Sequence, residues 1–331
     1  MANICIIGDG GWGTALALVL HRNGHAVRVW GAFPDYIAEI CSTHSNTKFL
    51  PGVALPPEIR WTADRAEAAA GADATVIAVP SRYFTDVLSS FSPLLRSCPL
   101  LVSVTKGIDR RTHQCMTDVA EKVLGIGPAT ALSGPSIAPE VARGIPTAVV
   151  AACRDNEKAD AVQSLFSNTA LRVYTSDDVT GVELGGALKN VIAIAAGVCD
   201  GIGFGDNSKA ALITRGLAEM ARLGAALGAH PSTFAGLSGM GDLVVTCASR
   251  HSRNRMVGER LGRGESMEAI LKSMEQVAEG TWTCAAAREL AQAHKVEVPI
   301  TDEVFSIIHE GKSPREAVES LMTREVKAER G

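Results

Sequence analysis

Ile4-Cys5-Ile6-Ile7-Gly8-Asp9-Gly10-Gly11-Trp12-Gly13-Thr14-Ala15-Leu16-Ala17-Leu18 decides the fold: an apolar run, a glycine turn and the first turns of a helix follow without a gap. The turn fits G-x-G-x-x-G, which glycine-rich chains also reach by chance, but a strand before it and a helix after it are the context of a dinucleotide-binding unit. In such a unit Gly8 permits the tight turn, Gly10 lets the backbone approach a pyrophosphate, and Gly13 lets the helix pack against the strand. Gly11 and Trp12 open the helix, whose free amides and partial positive charge favour a diphosphate. An Asp or Glu about 20 residues further on marks NAD and a nearby Arg marks NADP. Here Trp30-Gly31-Ala32-Phe33-Pro34-Asp35 places neither at the strand end, so NAD against NADP stays open.

Outward from this unit, the first half alternates strand-like runs at 4–7, 27–30, 75–79, 100–104 and 148–151 with helices near 11–23, 64–70, 83–95, 112–124 and 156–167. Several of the runs are apolar at consecutive positions, the mark of strands covered on both faces. Beyond residue 178, Ala/Leu/Met/Glu-rich segments with helical spacing take over at 180–198, 208–228, 232–236, 252–262, 267–274, 281–293, 300–310 and 313–329. The expected fold is an α/β N-terminal Rossmann-like domain over 1–178 and an all-α C-terminal domain over 179–331. The polar turn Thr175-Ser176-Asp177-Asp178 divides them, with a ligand cleft between the two.

Composition narrows the partners. With 331 residues and 46% of them hydrophobic, the chain has ample material for two cores. Its 32 basic and 36 acidic residues leave no broad basic face, so neither nucleic acid nor an anionic membrane is an expected partner. Met1-Ala2-Asn3 brings no basic leader, and the longest apolar run, Val191 to Cys199, is too short to span a bilayer, so a cytoplasmic location is expected. The eight cysteines are scattered without CxxC spacing, consistent with reduced thiols, and no metal site is expected. His21 and His25 have i, i+4 spacing, but Asn23-Gly24 interrupts the helix between them.

Several segments carry candidate chemistry. Val79-Pro80-Ser81 and Thr105-Lys106-Gly107 follow strands, where open α/β sheets bind ligands, and Leu132-Ser133-Gly134-Pro135-Ser136 is a further small-residue loop leading toward a helix, so Lys106 and Ser136 become pocket candidates. Glu183-Leu184-Gly185-Gly186-Ala187-Leu188-Lys189-Asn190 puts two glycines inside a helix at a cost of about 1 kcal/mol each relative to alanine. Close approach of a cofactor or another backbone explains them. Lys189 then sits on a helix entering the core, where burial lowers a lysine's pKa and suits it to proton transfer, whereas a surface position would leave it an ordinary solvated lysine. Asp242, in Gly239-Met240-Gly241-Asp242-Leu243, is open to three readings: a helix N-cap, a partner of Lys189, or a ligand of a substrate hydroxyl. Ser252-Arg253-Asn254-Arg255 offers the planar and neutral donors that a phosphate takes.

Taken together, the chain resembles the bacterial NAD(P)-dependent glycerol-3-phosphate dehydrogenases. The matching stretches are Gly8 to Leu18, Val104 to Gly107, Ser133 to Ser136, Gly181 to Ala195, Asp200 to Phe204, Thr214 to Met220, Gly239 to Val244, Ser252 to Arg255 and Val277 to Gly280, in family order over nearly the whole chain. The resemblance implies that Lys189 is the catalytic proton donor and acceptor, with Lys106, Gly134, Ser136, Asp242, Ser252, Arg253 and Asn254 around a small phosphorylated substrate. It further implies that Gly11, Trp12, Lys106, Ala138, Arg253, Val277 and Glu279 contact NAD or NADP, and that the protein is a homodimer supplying phospholipid synthesis. Two positions depart from it: many relatives carry Ser where Gly11 stands and a basic residue where Ala32 stands. That basic residue faces the adenosine ribose, so its loss bears on NADP preference.

Overall fold

The computed structural model describes residues 1–274, 277–326 and 328–329. Strands β1 (Asn3–Ile7), β2 (Ala26–Trp30), β3 (Arg60–Thr62), β4 (Ala74–Ile77), β5 (Leu100–Ser103), β6 (Thr130–Ser133), β7 (Thr147–Ala152) and β8 (Leu171–Ser176) form one sheet in the order β3-β2-β1-β4-β5-β6-β7-β8. Pairing is parallel from β3 to β6, antiparallel between β6 and β7, and parallel again between β7 and β8. The first six strands have the Rossmann order, which sets the carboxyl ends of β1, β4, β5 and β6 side by side at one edge. Consecutive apolar residues in β1 and β4 are buried because helices cover both faces: Leu16, Leu20 and Phe166 pack on one side, Phe84, Phe91 and Met116 on the other.

The second half is built around one helix, Val179–Ile202, which Asp178 caps through Gly181 N–H at 2.9 Å. It is long and apolar enough to cross a membrane, and it is enclosed by the helices packed on it, chiefly Asp206–Ala226, Arg253–Gly262 and Gly280–Ala293. Its crossing with Arg253–Gly262 is a backbone contact. A Cβ on Gly197 would lie 1.9 Å from the Arg255 carbonyl oxygen, and one on Gly258 would lie 1.9 Å from that of Ile194.

Buried glutamates join elements distant in sequence. Glu183, on the long helix, accepts Thr117 N–H at 3.0 Å and the Thr117 hydroxyl at the start of helix Met116–Leu124 in the N-terminal half. Glu219 accepts Ile300 and Thr301 N–H at 2.8 and 2.9 Å at the start of helix Pro299–Phe305. Both supply the acceptors that a helix N-terminus lacks, and burial pushes both carboxyls up, Glu183 to about 7.

Several boundaries differ from the sequence expectation. The helix expected from 112 begins at Met116, because Asp109 gathers the amides of Arg111 and Thr112 into a loop closed by Ile108 and Cys115. The helix expected over 313–329 ends at Met322, and Lys327, Arg330 and Gly331 lie outside the described residues. Helix Pro34–Thr43 and strands β3, β6 and β8 were absent from the expectation.

Candidate active site

The glycine turn at the end of β1 does what each glycine's position asks. Gly8 has φ of 119°, and a Cβ on Gly13 would lie 2.2 Å from the Gly8 carbonyl, so helix Gly11–Arg22 packs directly on the turn. A Cβ on Gly10 would meet nothing within 4 Å. Among the described residues no side chain caps this helix, and the Trp12 Nε1–H is buried without a partner. Open space beside uncapped amides and an orphaned donor fits a dinucleotide phosphate. Gly11 is a departure with a structural cause, since a Cβ there would lie 2.5 Å from the Phe49 carbonyl oxygen. Ala138, first residue of helix Ala138–Ala142, stands beside it.

Across the edge, Lys106 leaves the end of β5 and its ammonium donates to Asp242 Oδ2 at 2.6 Å, Gly134 O at 2.9 Å and Ser136 Oγ at 3.0 Å. Gly134 has φ of 133°, a conformation that turns its carbonyl out of β6 toward this lysine. From the opposite domain, Lys189 Nζ donates to Asp242 Oδ1 at 2.5 Å and to Thr246 Oγ at 2.7 Å. Asp242 is therefore shared by the two lysines. It begins helix Asp242–Ala248 without capping it, which sets aside the N-cap reading, and it is paired with Lys189 as the second reading expects. The glycine pair on the long helix has its cause here. A Cβ on Gly185 would lie 2.6 Å from the Ser238 carbonyl oxygen, and one on Gly186 would lie 2.6 Å from Ser133 Oγ.

Lys189 is 6% exposed. Burial lowers its pKa to about 8, with Asp242 opposing the shift and Lys106 adding to it. A buried ammonium whose pKa is lowered to about 8 is equipped for proton transfer to a reacting oxygen.

The chain's likenesses agree with this chemistry. The model of the NAD-dependent glycerol-3-phosphate dehydrogenase N-terminus matches residues 3–159, and that of the C-terminus matches 178–319. The chain belongs to this family. It is 51% identical over 333 residues to glycerol-3-phosphate dehydrogenase [NAD(P)+] of Geobacter metallireducens, covering 99% of each chain. The same enzyme of Geobacillus kaustophilus is 48% identical, with 99% and 96% covered. The crystal structure of glycerol-3-phosphate dehydrogenase from Coxiella burnetii has a TM-score of 0.94 at 38% identity, covering 98% of this chain and 99% of that one. Like its family, the chain is an NAD(P)-dependent oxidoreductase.

The other residues expected from the family resemblance are placed less uniformly. Ser252 is the N-cap of helix Arg253–Gly262, bonding Arg255 N–H at 3.2 Å. Arg253 starts that helix exposed, with no hydrogen bond or ion pair among the described residues. Asn254 is buried and engaged within the protein, donating to Asn190 Oδ1 at 2.8 Å and accepting Gly280 N–H at 2.9 Å. Its amide thus acts first as a brace between three helices. Glu279 accepts Ser81 N–H at 3.0 Å and the Ser81 hydroxyl, bridging the helical domain to the start of helix Ser81–Leu95 after β4, and Val277 stands half-buried two residues before it. Burial raises the Glu279 carboxyl.

Thr246 and Asn190 were missed by sequence reading. Thr246 was findable, four residues from Asp242 and hence on the same helix face. Ser81 was expected in the cleft from its place after a strand, but its pairing with Glu279 was not, because that partner is remote in sequence.

Proposed function

We propose that this protein catalyses the reversible reduction of dihydroxyacetone phosphate to sn-glycerol 3-phosphate with NAD(P)H, supplying glycerol phosphate for phospholipid synthesis in the cytoplasm. A bound nicotinamide supplies or takes up the hydride at the substrate's C2. As the carbonyl π electrons move onto oxygen, Lys189 gives that oxygen a proton; in the reverse direction the neutral amine takes it back. The ammonium also stabilises charge that is greatest in the transition state.

One observation carries the choice of lysine. An ammonium has three N–H donors. Lys106 spends all three on Asp242, Gly134 and Ser136, whereas Lys189 spends two, on Asp242 and Thr246, and keeps one for a substrate oxygen. Lys106 then serves to fix Asp242 and, with Gly134 and Ser136, to line the substrate pocket. Arg253, which makes no ion pair among the described residues, supplies paired donors for the phosphate, assisted by Ser252 and the second amide hydrogen of Asn254. Gly8, Gly10, Gly11, Trp12, Gly13, Ala138, Val277 and Glu279 border the cofactor. Residues 1–178 hold the cofactor and 179–331 supply the chemistry. The protein acts as a homodimer, which light scattering tests.

Oxidation of reduced nicotinamide, followed by absorbance with dihydroxyacetone phosphate and separately with keto acids, tests the reaction. Turnover with the phosphorylated ketone supports the proposal. A preference for a keto acid would point to a related hydroxy-acid dehydrogenase, and cofactor binding without turnover would point to a dinucleotide sensor.

A further inference from the structure

β2 ends at Trp30 with Gly31 next, so the position from which an acidic side chain would reach an adenosine ribose carries no side chain. The space is nonetheless filled by a carboxylate. A Cβ built on Gly31 would lie 2.8 Å from Asp9 Oδ2 and 2.9 Å from Asp9 Cγ, so the Asp9 side chain, coming from the glycine turn, lies against the end of β2. Asp9 Oδ2 is buried and has no hydrogen-bond partner among the described residues. Its backbone is pinned: Asn46, wholly buried, donates to Asp9 O at 2.7 Å and to Thr14 Oγ at 2.7 Å, and Tyr36 OH in turn donates to Asn46 Oδ1 at 2.7 Å. The network fixes the backbone from which the carboxylate projects, and the carboxylate lies against Gly31 with Oδ2 unpartnered among the described residues.

We infer that Asp9 is the cofactor-specificity residue of this protein, its carboxylate accepting the adenosine ribose 2′-hydroxyl and making NAD(H) the preferred cofactor over NADP(H). A 2′-hydroxyl donates to a carboxylate, whereas a 2′-phosphate in the same place puts two anions in contact, and Ala32 offers no cation to offset them. The charge of Lys48 acts on Asp9, which makes the discrimination a quantity to measure. The inference rests on the dinucleotide-binding reading of the turn but not on the identity of the substrate.

The test is direct binding, without substrate, by nicotinamide fluorescence titration of NADH and NADPH into the wild-type protein, Asp9→Asn and Ala32→Arg. The wild type is expected to bind NADH about tenfold or more tighter than NADPH, the size of a charge-assisted hydrogen bond. Asp9→Asn should lose most of that ratio by weakening NADH and relieving NADPH, and Ala32→Arg should gain NADPH affinity. Equal affinities in the wild type, tighter NADPH, or an unchanged ratio in a folded Asp9→Asn would each overturn the inference. Binding of neither cofactor would overturn the dinucleotide reading with it. Turnover with a different substrate would overturn the proposed reaction and leave this inference standing.

Discussion

Replacing Asp242 with Asn removes one negative charge from between two ammonium groups and keeps the side chain's size. The carboxylate lies 2.5 Å from Lys189 Nζ and 2.6 Å from Lys106 Nζ, with 1% of its side chain exposed. A unit charge pair at about 4 Å with an effective dielectric near 20 is worth about 4 kcal/mol, or about 3 pKa units at about 1.36 kcal/mol each. Water entry and movement of the lysines reduce this, so Lys189, already lowered to about 8, should fall by at least about 1 unit. The variant amine is then mostly neutral at physiological pH and has no proton to give, so the alkaline limb of the reduction profile moves to lower pH. Stability follows the same group. Between the folded and unfolded pKa values of Lys189 the unfolded chain binds more protons, so stability rises with pH there. Asp242→Asn should be most destabilised at acid pH, where both ammoniums are charged, by about 3–5 kcal/mol, and should recover as pH rises. Turnover against pH, with urea midpoints over the same range, provides the assay. An alkaline limb that stays in place would refute the coupling of Asp242 to Lys189.

In the wild type, reduction needs the Lys189 ammonium and oxidation needs the amine, so reduction should decline and oxidation rise through about pH 8; profiles of the two directions that do not cross there would count against it. Arg253→Ala should raise KM for the phosphorylated substrate about tenfold or more, with a smaller effect on kcat; steady-state kinetics reads the split. Gly258→Ala puts a Cβ 1.9 Å from the Ile194 carbonyl oxygen and should destabilise the helical domain by about 3 kcal/mol or more, seen in the urea midpoint.

The strands that could be read from sequence are those whose burial is written locally. Ile4 to Ile7 are apolar at every position and the β4 run at all but Thr75, because both faces are covered, and such runs need no context. β3 has only three residues, and β8 alternates buried Leu171 and Val173 with exposed Arg172 and Tyr174 at the sheet edge, too weak a pattern to stand out. Gly185 and Gly186 announced a close approach through their unfavourable position in a helix. What approached them, the Ser238 carbonyl and the Ser133 hydroxyl, belongs to segments remote in sequence. Lys189 and Asp242 were visible as isolated charges in apolar surroundings, but that one carboxylate holds both lysines is a fact of tertiary geometry. The engagement of Asn254 with Asn190 and Gly280 has no local sign at all, which is why a run of donors reads as a phosphate site when part of it braces the helices.

The central claim is that Lys189, with one N–H unspent, moves the proton. Lys189→Ala should lower kcat by about 100-fold or more while the dissociation constant for the reduced cofactor, measured by fluorescence titration on the same preparation, stays within about twofold, since the hydrogen bonds of this side chain among the described residues go to Asp242 and Thr246 and not to the glycine turn. Turnover near the wild-type level in Lys189→Ala, with cofactor binding intact, would contradict the account.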